Sequence, residues 1–475
     1  MHAFWVAASL AIAMASTDPR PAAAAEPRGI EGLWQGTLQG MLRLVVHVER
    51  GPAGGLTATM DSPDQGAMGL AIDTLVATPD SMRFDMRRIG SQFAGARSAD
   101  GDSIVGVWRQ GGMGLPLTLR RAEKAIEWRR PQEPQRPYPY DTVAVTFRNA
   151  QAPEVLLAGT LTLPRGKGRF PCALLITGSG PEDRDEMVFG HRPFLVLADH
   201  LTRQGIAVLR VDDRGVGGST GEFRGATSED FASDALAGIE FLRKRPEIDP
   251  RGIGLIGHSE GGLVAPLVAA RARDVAFIVL MAGPGIPGDS TLILQTAALR
   301  RSIGVSEESI AREIPLHRRI YSLLRQGDSA GVVRASRELV EIQLQGLPEE
   351  RRRAMGDPDS VAVAAVRRFL SPWMRFFLAY DPRPALQRIR CPVLAINGEK
   401  DLQVLPKENL AAIESALRAG GNRAATVKEL PGLNHLFQTC KTCSVAEYSQ
   451  LEETVAPVAL ELMSQWIRTH ANAKR

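Results

Sequence analysis

The sequence predicts an α/β fold that carries a helical insertion and follows a small all-β domain. In the second half of the 475-residue chain, the short apolar runs 253–256 and 392–396 have the length of buried strands, and residues 262–272 continue the first run with helical apolar spacing. In residues 28–125, apolar and polar residues alternate instead, as they do in antiparallel strands. The proline-rich stretch 126–140 separates these two regions and predicts an extended linker.

The N-terminal region predicts a barrel or a sandwich. Apolar residues fall at even positions between Trp34 and Val48, and turn residues such as Gly54-Gly55 separate further alternating runs. The opening, residues 32–36, is similar to the start of lipocalin-like barrels. Two roles are open for this domain: it binds a ligand, or it serves packing and docking.

Ser259 lies between the apolar run 253–256 and the predicted helix 262–272. The pentapeptide Gly257-His258-Ser259-Glu260-Gly261 has the G-x-S-x-G pattern of a nucleophile elbow, a sharp strand-to-helix turn. Glycines on both sides remove the side chains that would collide where strand and helix cross. The pattern therefore predicts an exposed, nucleophilic serine hydroxyl.

A serine hydroxyl is a weak nucleophile, so it needs a base and an acid that orients the base. Only three histidines follow Ser259, and His435 alone ends a short predicted strand and a Pro-Gly turn. For the acid, the loop 397–404 follows a predicted buried strand and offers Asp401 or Glu399. We favour Asp401 because it lies deeper in the loop and precedes an apolar residue.

Backbone amides are expected to bind the oxyanion of the reaction. The loop 177–181 follows a predicted strand, and its glycines allow its amides to turn inward. We predict that the amides of Ser179 and Glu260 form this oxyanion hole. The glycine-rich stretch 215–220 lacks the last glycine and the acidic partner of a dinucleotide-binding loop, so we interpret it as a tight connection.

These motifs together resemble those of the α/β-hydrolases grouped with serine aminopeptidase-like and feruloyl-esterase-like enzymes. The matching segments are Gly178-Ser179-Gly180-Pro181, Asp212-Asp213-Arg214-Gly215, Gly257 to Gly262, Gly398 to Asp401 and Leu433-Asn434-His435. The resemblance covers residues 141–475 and implies an eight-stranded, mostly parallel sheet with the catalytic triad Ser259, Asp401 and His435. Thr177-Gly178 stands where the family usually has His-Gly.

The spacing of the motifs predicts an insertion. Ser259 and Asp401 are 142 positions apart, whereas a βαβ repeat needs only about 30 residues. We therefore assign 141–285 and 385–475 to the catalytic domain, and 286–384 to a helical cap above the active site. An aromatic cluster in its last part forms either the core of the cap or the lining of an acyl pocket; it comprises Phe369, Trp373, Phe376, Phe377 and Tyr380.

Composition narrows the possible partners. A hydrophobic content of 44% suffices for buried cores, and the net charge of +4 comes without a dense block of Lys and Arg. We therefore expect no nucleic-acid partner. The single C-x-x-C at Cys440 and Cys443 has no second pair of ligands, which argues against structural zinc. We expect no metal and no cofactor, and a disulfide at this motif if the protein is exported.

The N-terminus predicts export. Residues 3–15 form a short apolar run, and small residues at Ala13-Met14-Ala15 or within 22–25 suit signal cleavage. We interpret residues 1–25 as a signal peptide and expect a periplasmic or secreted protein. No later segment offers the ~18 apolar residues that an integral membrane span needs.

The predicted activity is hydrolysis of carboxylic esters through an acyl-enzyme intermediate, with a small-molecule ester as substrate. Hydrolysis of short peptides or aminoacyl amides is the alternative, since the same triad cleaves both kinds of bond. It would need an acid that binds an amine, for which Glu182, Asp183 and Glu260 are the candidates. The second alternative is a non-catalytic ligand-binding protein.

Overall fold

A computed structural model describes residues 29–38, 42–51, 54–63, 67–110, 113–124, 129–345, 362–363, 366 and 370–471. The predicted signal peptide and Phe369 lie outside these residues. The chain divides into two compact units. The first unit contains the described residues up to 124 together with those from 300 to 366; the second contains 129–299 and 370–471.

The first unit contains one nine-stranded antiparallel sheet. Its strands are β1 (Gly32–Leu38), β2 (Leu42–Arg50), β3 (Leu56–Ser62), β4 (Ala67–Ala71), β5 (Thr74–Thr78), β6 (Ser81–Met86), β7 (Ser91–Arg97), β8 (Ser103–Gln110) and β9 (Met113–Ala122). They lie in the order β4-β3-β2-β1-β9-β8-β7-β6-β5. Strands that follow each other in the chain are neighbours in the sheet, except β4 and β5, which lie at its two edges. The first strand, β1, pairs with the last, β9, as in an up-and-down barrel. Of the two predicted architectures, the structure therefore has the barrel-like one.

Large side chains fill the concave side of this sheet. Trp34, Phe84 and Phe93 are fully buried, and Trp108 is nearly so. The ring of Phe84 lies 5.3 Å from that of Phe93 and 6.1 Å from that of Trp108. The even positions noted in the sequence are those that face this core, because alternate residues of a strand point to the same side.

The first unit also contains two long helices from the predicted insertion, α5 (Glu307–Gln326) and α6 (Ser329–Gln345). Ser306 caps the start of α5 by accepting a hydrogen bond from the Ser309 amide, and Gly327 ends the helix with φ +74°. The two helices pack on each other through their apolar faces. Arg300 and Glu313 form a buried ion pair within this unit.

The second unit contains an eight-stranded sheet with helices on both faces. The strands are β10 (Asp141–Asn149), β11 (Ala152–Leu163), β12 (Phe170–Ile176), β13 (Ala207–Val211), β14 (Ile248–His258), β15 (Ile278–Met281), β16 (Val393–Gly398) and β17 (Ala425–Leu430). Their order is β10-β11-β13-β12-β14-β15-β16-β17. Only the pairs β10–β11 and β11–β13 are antiparallel, which confirms the predicted mostly parallel sheet.

Two hydrophobic clusters cover the two faces of this sheet. The helices are α1 (Pro193–Arg203), α2 (Ser228–Arg243), α3 (Gly261–Ala269), α4 (Gly288–Ser302), α7 (Pro372–Ala379), α8 (Arg383–Leu386), α9 (Pro406–Ala419) and α10 (Pro457–His470), of which α4 extends into the first unit. Residues of α2, α3 and α9 form one cluster with the sheet, and residues of α1 and α10 form the other. Both faces are thus covered, as a parallel sheet requires.

The predicted insertion lies between β15 and β16, and its described residues are mainly helical. Cys172 on β12 and Cys391 beside β16 are both buried and form no disulfide, since β14 and β15 lie between their strands. In the described parts of the chain, no helix combines the length and the hydropathy needed to cross a membrane.

Candidate active site

Ser259 occupies a strained turn between β14 and α3. Its φ is +52°, a left-handed conformation that costs a non-glycine residue about 1–3 kcal/mol. The Ser259 amide donates a 2.8 Å hydrogen bond to the carbonyl of Met281 on the neighbouring strand, which holds the turn in place. This geometry leaves the serine side chain partly exposed at the carboxyl end of β14.

The glycines around Ser259 are required by close backbone contacts. A Cβ atom at Gly257 would lie 2.0 Å from the carbonyl oxygen of Gly261, and one at Gly261 would lie 2.1 Å from that of Ile176. Real Cβ atoms do not approach other atoms this closely. The glycines in the motif therefore allow β14, α3 and the end of β12 to meet at the serine.

Asp401 and His435 form a buried pair. Asp401 Oδ2 lies 2.7 Å from His435 Nδ1, and both side chains are almost fully buried. The other carboxylate oxygen, Oδ1, accepts hydrogen bonds from the amides of Gln403 (2.7 Å) and Val404 (2.9 Å). An ionised Asp401 thus assigns the proton of a neutral His435 to Nδ1 and leaves Nε2 free to act as a base.

Glu399, the other candidate acid, does not contact His435. Its carboxylate accepts a hydrogen bond from the Gly432 amide (2.9 Å) and pairs with Lys400 at the surface. Backbone and lysine contacts lower its pKa below the usual glutamate value. The structure thus places Asp401, and not Glu399, against the histidine.

The backbone of His435 is fixed beside the nucleophile elbow. His258, the residue before Ser259, places Nε2 3.0 Å from the His435 carbonyl oxygen, and the two imidazole rings lie 4.9 Å apart. The Ser259 hydroxyl makes no hydrogen bond to any described side chain, including His435. Loosely arranged catalytic groups are common without substrate and do not exclude a residue from its role.

The loop 177–181 also meets the elbow. A Cβ atom at Gly178 would lie 3.4 Å from the Cβ of Ser259. The Gly178 amide donates to Glu186 Oε1 at 2.7 Å. The amides of Ser179 and Glu260, by contrast, donate to no acceptor among the residues that the structure describes. These two amides are therefore available to an oxyanion, whereas that of Gly178 is not.

The Asp212-Asp213 motif holds the loop 177–181 and the residues after it in place through hydrogen bonds. Asp213 accepts hydrogen bonds from the Thr177 hydroxyl (2.8 Å) and the Glu182 amide (3.0 Å). Burial raises the pKa of Asp213 well above the usual range. Asp212 forms a two-point ion pair with Arg184, with distances of 2.9 and 2.6 Å. The Thr177 side chain thus has a structural role in the loop.

The Glu260 side chain is buried beneath the elbow. Its Oε1 accepts hydrogen bonds from the Ser228 hydroxyl (2.5 Å) and from Trp373 Nε1 (2.7 Å). Burial raises the pKa of Glu260 to about 7, although these two hydrogen bonds oppose the shift. Trp373 belongs to α7, so the end of the predicted insertion is attached directly to the residue after the nucleophile.

The aromatic cluster lies on the core of the second unit. Phe377 is part of the hydrophobic cluster formed by β12, α2 and α3, and Trp373, Phe376 and Tyr380 pack against it. The rings of Trp373 and Phe377 stack with their centroids 5.3 Å apart. This arrangement differs from the predicted core of the cap, because α7 packs on the α/β core instead of forming a separate core of the insertion. The lining of an acyl pocket stays a prediction.

A disulfide follows the His435 loop. Cys440 and Cys443 are bonded to each other. The Cys440 amide donates to the Gly432 carbonyl (3.2 Å), and Leu433 pairs with Thr439 in a short antiparallel bridge. The disulfide segment therefore lies against the residues that lead into His435.

One pair of site residues, Glu186 and His258, is not predicted by the sequence. Glu186 Oε1 lies 3.0 Å from His258 Nδ1, and both side chains are buried. The two residues are 72 positions apart and share no motif spacing. The available signals were the carboxylate in the polar loop after residue 181 and the histidine inside the elbow itself.

Comparison with known proteins agrees with the fold. The model of a family described as "Alpha/beta hydrolase family" matches residues 174–440, more than half of the chain. The chain therefore belongs to the α/β-hydrolase family, which confirms the predicted fold class. No cluster of three or more His, Cys, Asp or Glu suited to a metal ion occurs among the described residues.

The similar proteins include esterases. Esterase EstD of Thermotoga maritima is 25% identical over 281 residues, which are 59% of this chain and 58% of EstD. The chain spans about three fifths of the length of the curated relatives it matches. The hydrolase GrgF of Penicillium sp. sh18 is 18% identical, with a TM-score of 0.43 and coverage of 70% of this chain and 99% of GrgF. Est1E of Butyrivibrio proteoclasticus, solved with ferulic acid, is 18% identical, with a TM-score of 0.38 and coverage of 69% and 97%.

Proposed function

We propose that this protein is a serine hydrolase that cleaves carboxylic esters of small molecules through an acyl-enzyme intermediate. Ser259 is the nucleophile, His435 the base and Asp401 the acid that orients it. The amides of Ser179 and Glu260 bind the oxyanion. The proposed reaction uses no cofactor or metal.

The observation that carries this proposal is the buried Asp401–His435 pair, whose histidine backbone lies 3.0 Å from the side chain of the residue before Ser259. Two further features support it. Ser259 has the left-handed backbone of a nucleophile elbow, and the amides of Ser179 and Glu260 donate to no acceptor among the described residues.

The reaction follows from these positions. Ser259 Oγ attacks the ester carbonyl carbon while His435 Nε2 takes the hydroxyl proton. The negative charge that develops on the carbonyl oxygen is stabilised by the amides of Ser179 and Glu260. Collapse of this intermediate releases the alcohol, which takes the proton from His435, and leaves an acyl group on Ser259. A water molecule deprotonated by His435 then hydrolyses the acyl-enzyme.

Ester hydrolysis is favoured over the peptidase alternative by the contacts of the three candidate amine-binding acids. Glu260 is buried and accepts hydrogen bonds from Ser228 and Trp373. Asp183 accepts the amides of Asp185 and Met187 within its own loop (3.0 and 3.1 Å). Glu182 is buried, and burial together with neighbouring carboxylates raises its pKa well above the usual range, which favours the uncharged acid. The relationship to EstD, an esterase by name, supports the same choice.

We also propose that the protein acts in the periplasm or outside the cell. The Cys440–Cys443 disulfide supports this proposal, because disulfides persist in oxidising compartments. Fractionation of cells that express the full chain tests it: recovery of the protein only from the cytoplasm would contradict export.

The activity is tested with p-nitrophenyl esters of increasing acyl length. We compare the wild type with Ser259→Ala and with Ser415→Ala, which makes the same change at an exposed position on α9. We expect Ser259→Ala to lose several powers of ten in kcat, and Ser415→Ala to match the wild type. A serine-directed phosphonate should add its mass to the wild type and not to Ser259→Ala.

The alternatives give different results in the same experiment. Turnover of aminoacyl anilides in preference to esters, abolished by Ser259→Ala, would favour the peptidase. If the wild type hydrolyses no substrate and takes up no phosphonate, the result would favour the second alternative, a non-catalytic ligand-binding protein.

A further inference from the structure

Glu186 and His258 connect three parts of the candidate site. Glu186 Oε1 accepts the Gly178 amide of the oxyanion loop at 2.7 Å and lies 3.0 Å from His258 Nδ1. His258 Nε2 lies 3.0 Å from the carbonyl oxygen of His435. One chain of hydrogen bonds therefore runs from the oxyanion loop, past the residue next to the nucleophile, to the backbone of the proposed base.

The hydrogen bonds of this chain determine where its protons are. A carbonyl oxygen only accepts, so His258 Nε2 must carry a proton to bond with His435. Glu186 Oε1 already accepts the Gly178 amide, and an oxygen that accepts in this way is suited to accept from Nδ1 as well. With Glu186 ionised, both nitrogens of His258 act as donors, which is the state of the imidazolium cation.

We propose that Glu186 and His258 form a buried carboxylate–imidazolium pair that positions the oxyanion loop and the His435 backbone around Ser259. This inference deepens the function proposed above and rests on it. Both residues are positioning residues, since neither is assigned a contact with the substrate. The positive charge of His258 is fixed next to the nucleophile throughout the reaction.

The surroundings of His258 support its charge. Burial lowers the pKa of this imidazole, but the Glu186 carboxylate, the hydrogen bond to the His435 carbonyl and the Asp401 charge together more than compensate, so the pKa lies above the usual histidine value. The other groups that face it are the His435 ring at 4.9 Å, the Phe437 ring at 6.4 Å and, electrostatically, the Asp401 carboxylate. Removal of Glu186 would leave a buried cation without its direct partner, so His258 would lose a proton and one of its two hydrogen bonds.

The structure of Glu186 itself fits this role. Its backbone has φ +52°, a conformation that is strained for a glutamate, and its amide bonds to the Asp183 carbonyl (2.9 Å) in a tight turn. This turn directs the carboxylate inward, where its side chain is only 4% exposed. Strain of this kind persists where the surrounding contacts enforce it.

His191 provides an internal reference. It is buried like His258, but its ring nitrogens contact the Thr454 hydroxyl, the Tyr448 carbonyl and the Gln438 amide, and no described carboxylate. Burial and the charge of Arg130 lower the pKa of His191 to about 3, so it is neutral at ordinary pH. Two buried histidines of one protein should therefore differ in charge at the same pH.

The test measures charge and activity separately. Protein labelled with ¹⁵N in its histidines is examined by NMR at pH 8, with His258→Gln and His191→Gln used for assignment. We expect both ring nitrogens of His258 to be protonated and His191 to be a neutral tautomer. In parallel, kcat and KM are measured for Glu186→Gln, and for Glu240→Gln as the same change at an exposed site on α2. We expect Glu186→Gln to lower kcat about 10- to 100-fold, since small misplacements cost up to about 100-fold, with KM almost unchanged.

The outcomes separate this inference from the proposed function. A neutral His258 in the wild type, or a folded Glu186→Gln that keeps its kcat within about twofold, would overturn the inference while the esterase proposal stands. A charged His258 in a protein without any hydrolase activity would refute the proposed function and leave only the ion pair. If Glu186→Gln does not fold, the charge state in the wild type decides.

Discussion

Replacing Asp401 with asparagine should inactivate the protein while leaving it folded. Oδ1 of Asp401 accepts two backbone amides, from Gln403 and Val404, and an amide NH₂ group cannot accept them. The asparagine must therefore keep its oxygen toward these amides and direct its NH₂ group at His435 Nδ1, 2.7 Å away. That forces the proton of His435 onto Nε2, which can then no longer take the proton of Ser259. The expected loss is about 10⁴-fold in kcat, or about 5 kcal/mol of transition-state stabilisation.

The assay is hydrolysis of the best p-nitrophenyl ester, combined with thermal unfolding. Asp274→Asn is the matched control, since Asp274 is an exposed partner of Arg243. We expect the control to retain full activity and Asp401→Asn to unfold within a few degrees of the wild type, because both hydrogen bonds to Oδ1 survive. A folded Asp401→Asn protein that keeps more than a tenth of the wild-type rate would refute the proposed role of the pair.

Three further predictions concern residues that hold the candidate active site in place. Gly257→Ala would place Cβ 2.0 Å from the Gly261 carbonyl and should lower the free energy of unfolding by about 3 kcal/mol; a wild-type urea midpoint would contradict this. Burial raises the pKa of Glu260 from 4.5 to about 7, so its stabilising contribution of about 3 kcal/mol is complete below pH 4.5 and is lost as the pH rises through 7. Wild type should therefore lose more stability than Glu260→Gln in urea unfolding between pH 5 and pH 8, and parallel losses would refute the assignment. Replacing Cys440 and Cys443 by serine should cost about 2 kcal/mol and reduce kcat severalfold, since the disulfide segment lies against the residues before His435; an unchanged kcat would show that it does not hold the histidine.

Much of the catalytic unit could be predicted because chain order and strand ends constrain each other. In a parallel sheet the loops at the carboxyl ends of neighbouring strands converge, so residues just after β14 and β16 must lie near each other. The G-x-S-x-G motif predicts Ser259, and the position after a buried strand then indicates Asp401 as the acid. The alternation between Trp34 and Val48 likewise identified the side of the sheet that faces the core.

Other features depended on contacts that have no periodic signal. The Glu186–His258 pair requires a left-handed turn at Glu186, and no local pattern in the sequence encodes which side chain such a turn directs inward. The choice between barrel and sandwich depended on whether β1 pairs with β9, a contact between strands about 85 residues apart. The position of α7 could not be predicted because its aromatic residues could pack on any apolar surface. In the structure, the hydrogen bond from the Trp373 indole to the buried Glu260 side chain fixes this position.

The hydrogen bond between Trp373 and Glu260 limits how the insertion can be replaced by a segment of another hydrolase. Glu260 supplies both a side chain that anchors α7 and an amide proposed to bind the oxyanion, so a hydrolase chimera in which α7 is replaced would disturb both. A graft that replaces the insertion only up to residue 370 would retain this anchor, and one that includes α7 would lose it. Protein engineers who wish to change substrate choice in this scaffold should therefore place the downstream junction before Ser371, which caps the start of α7.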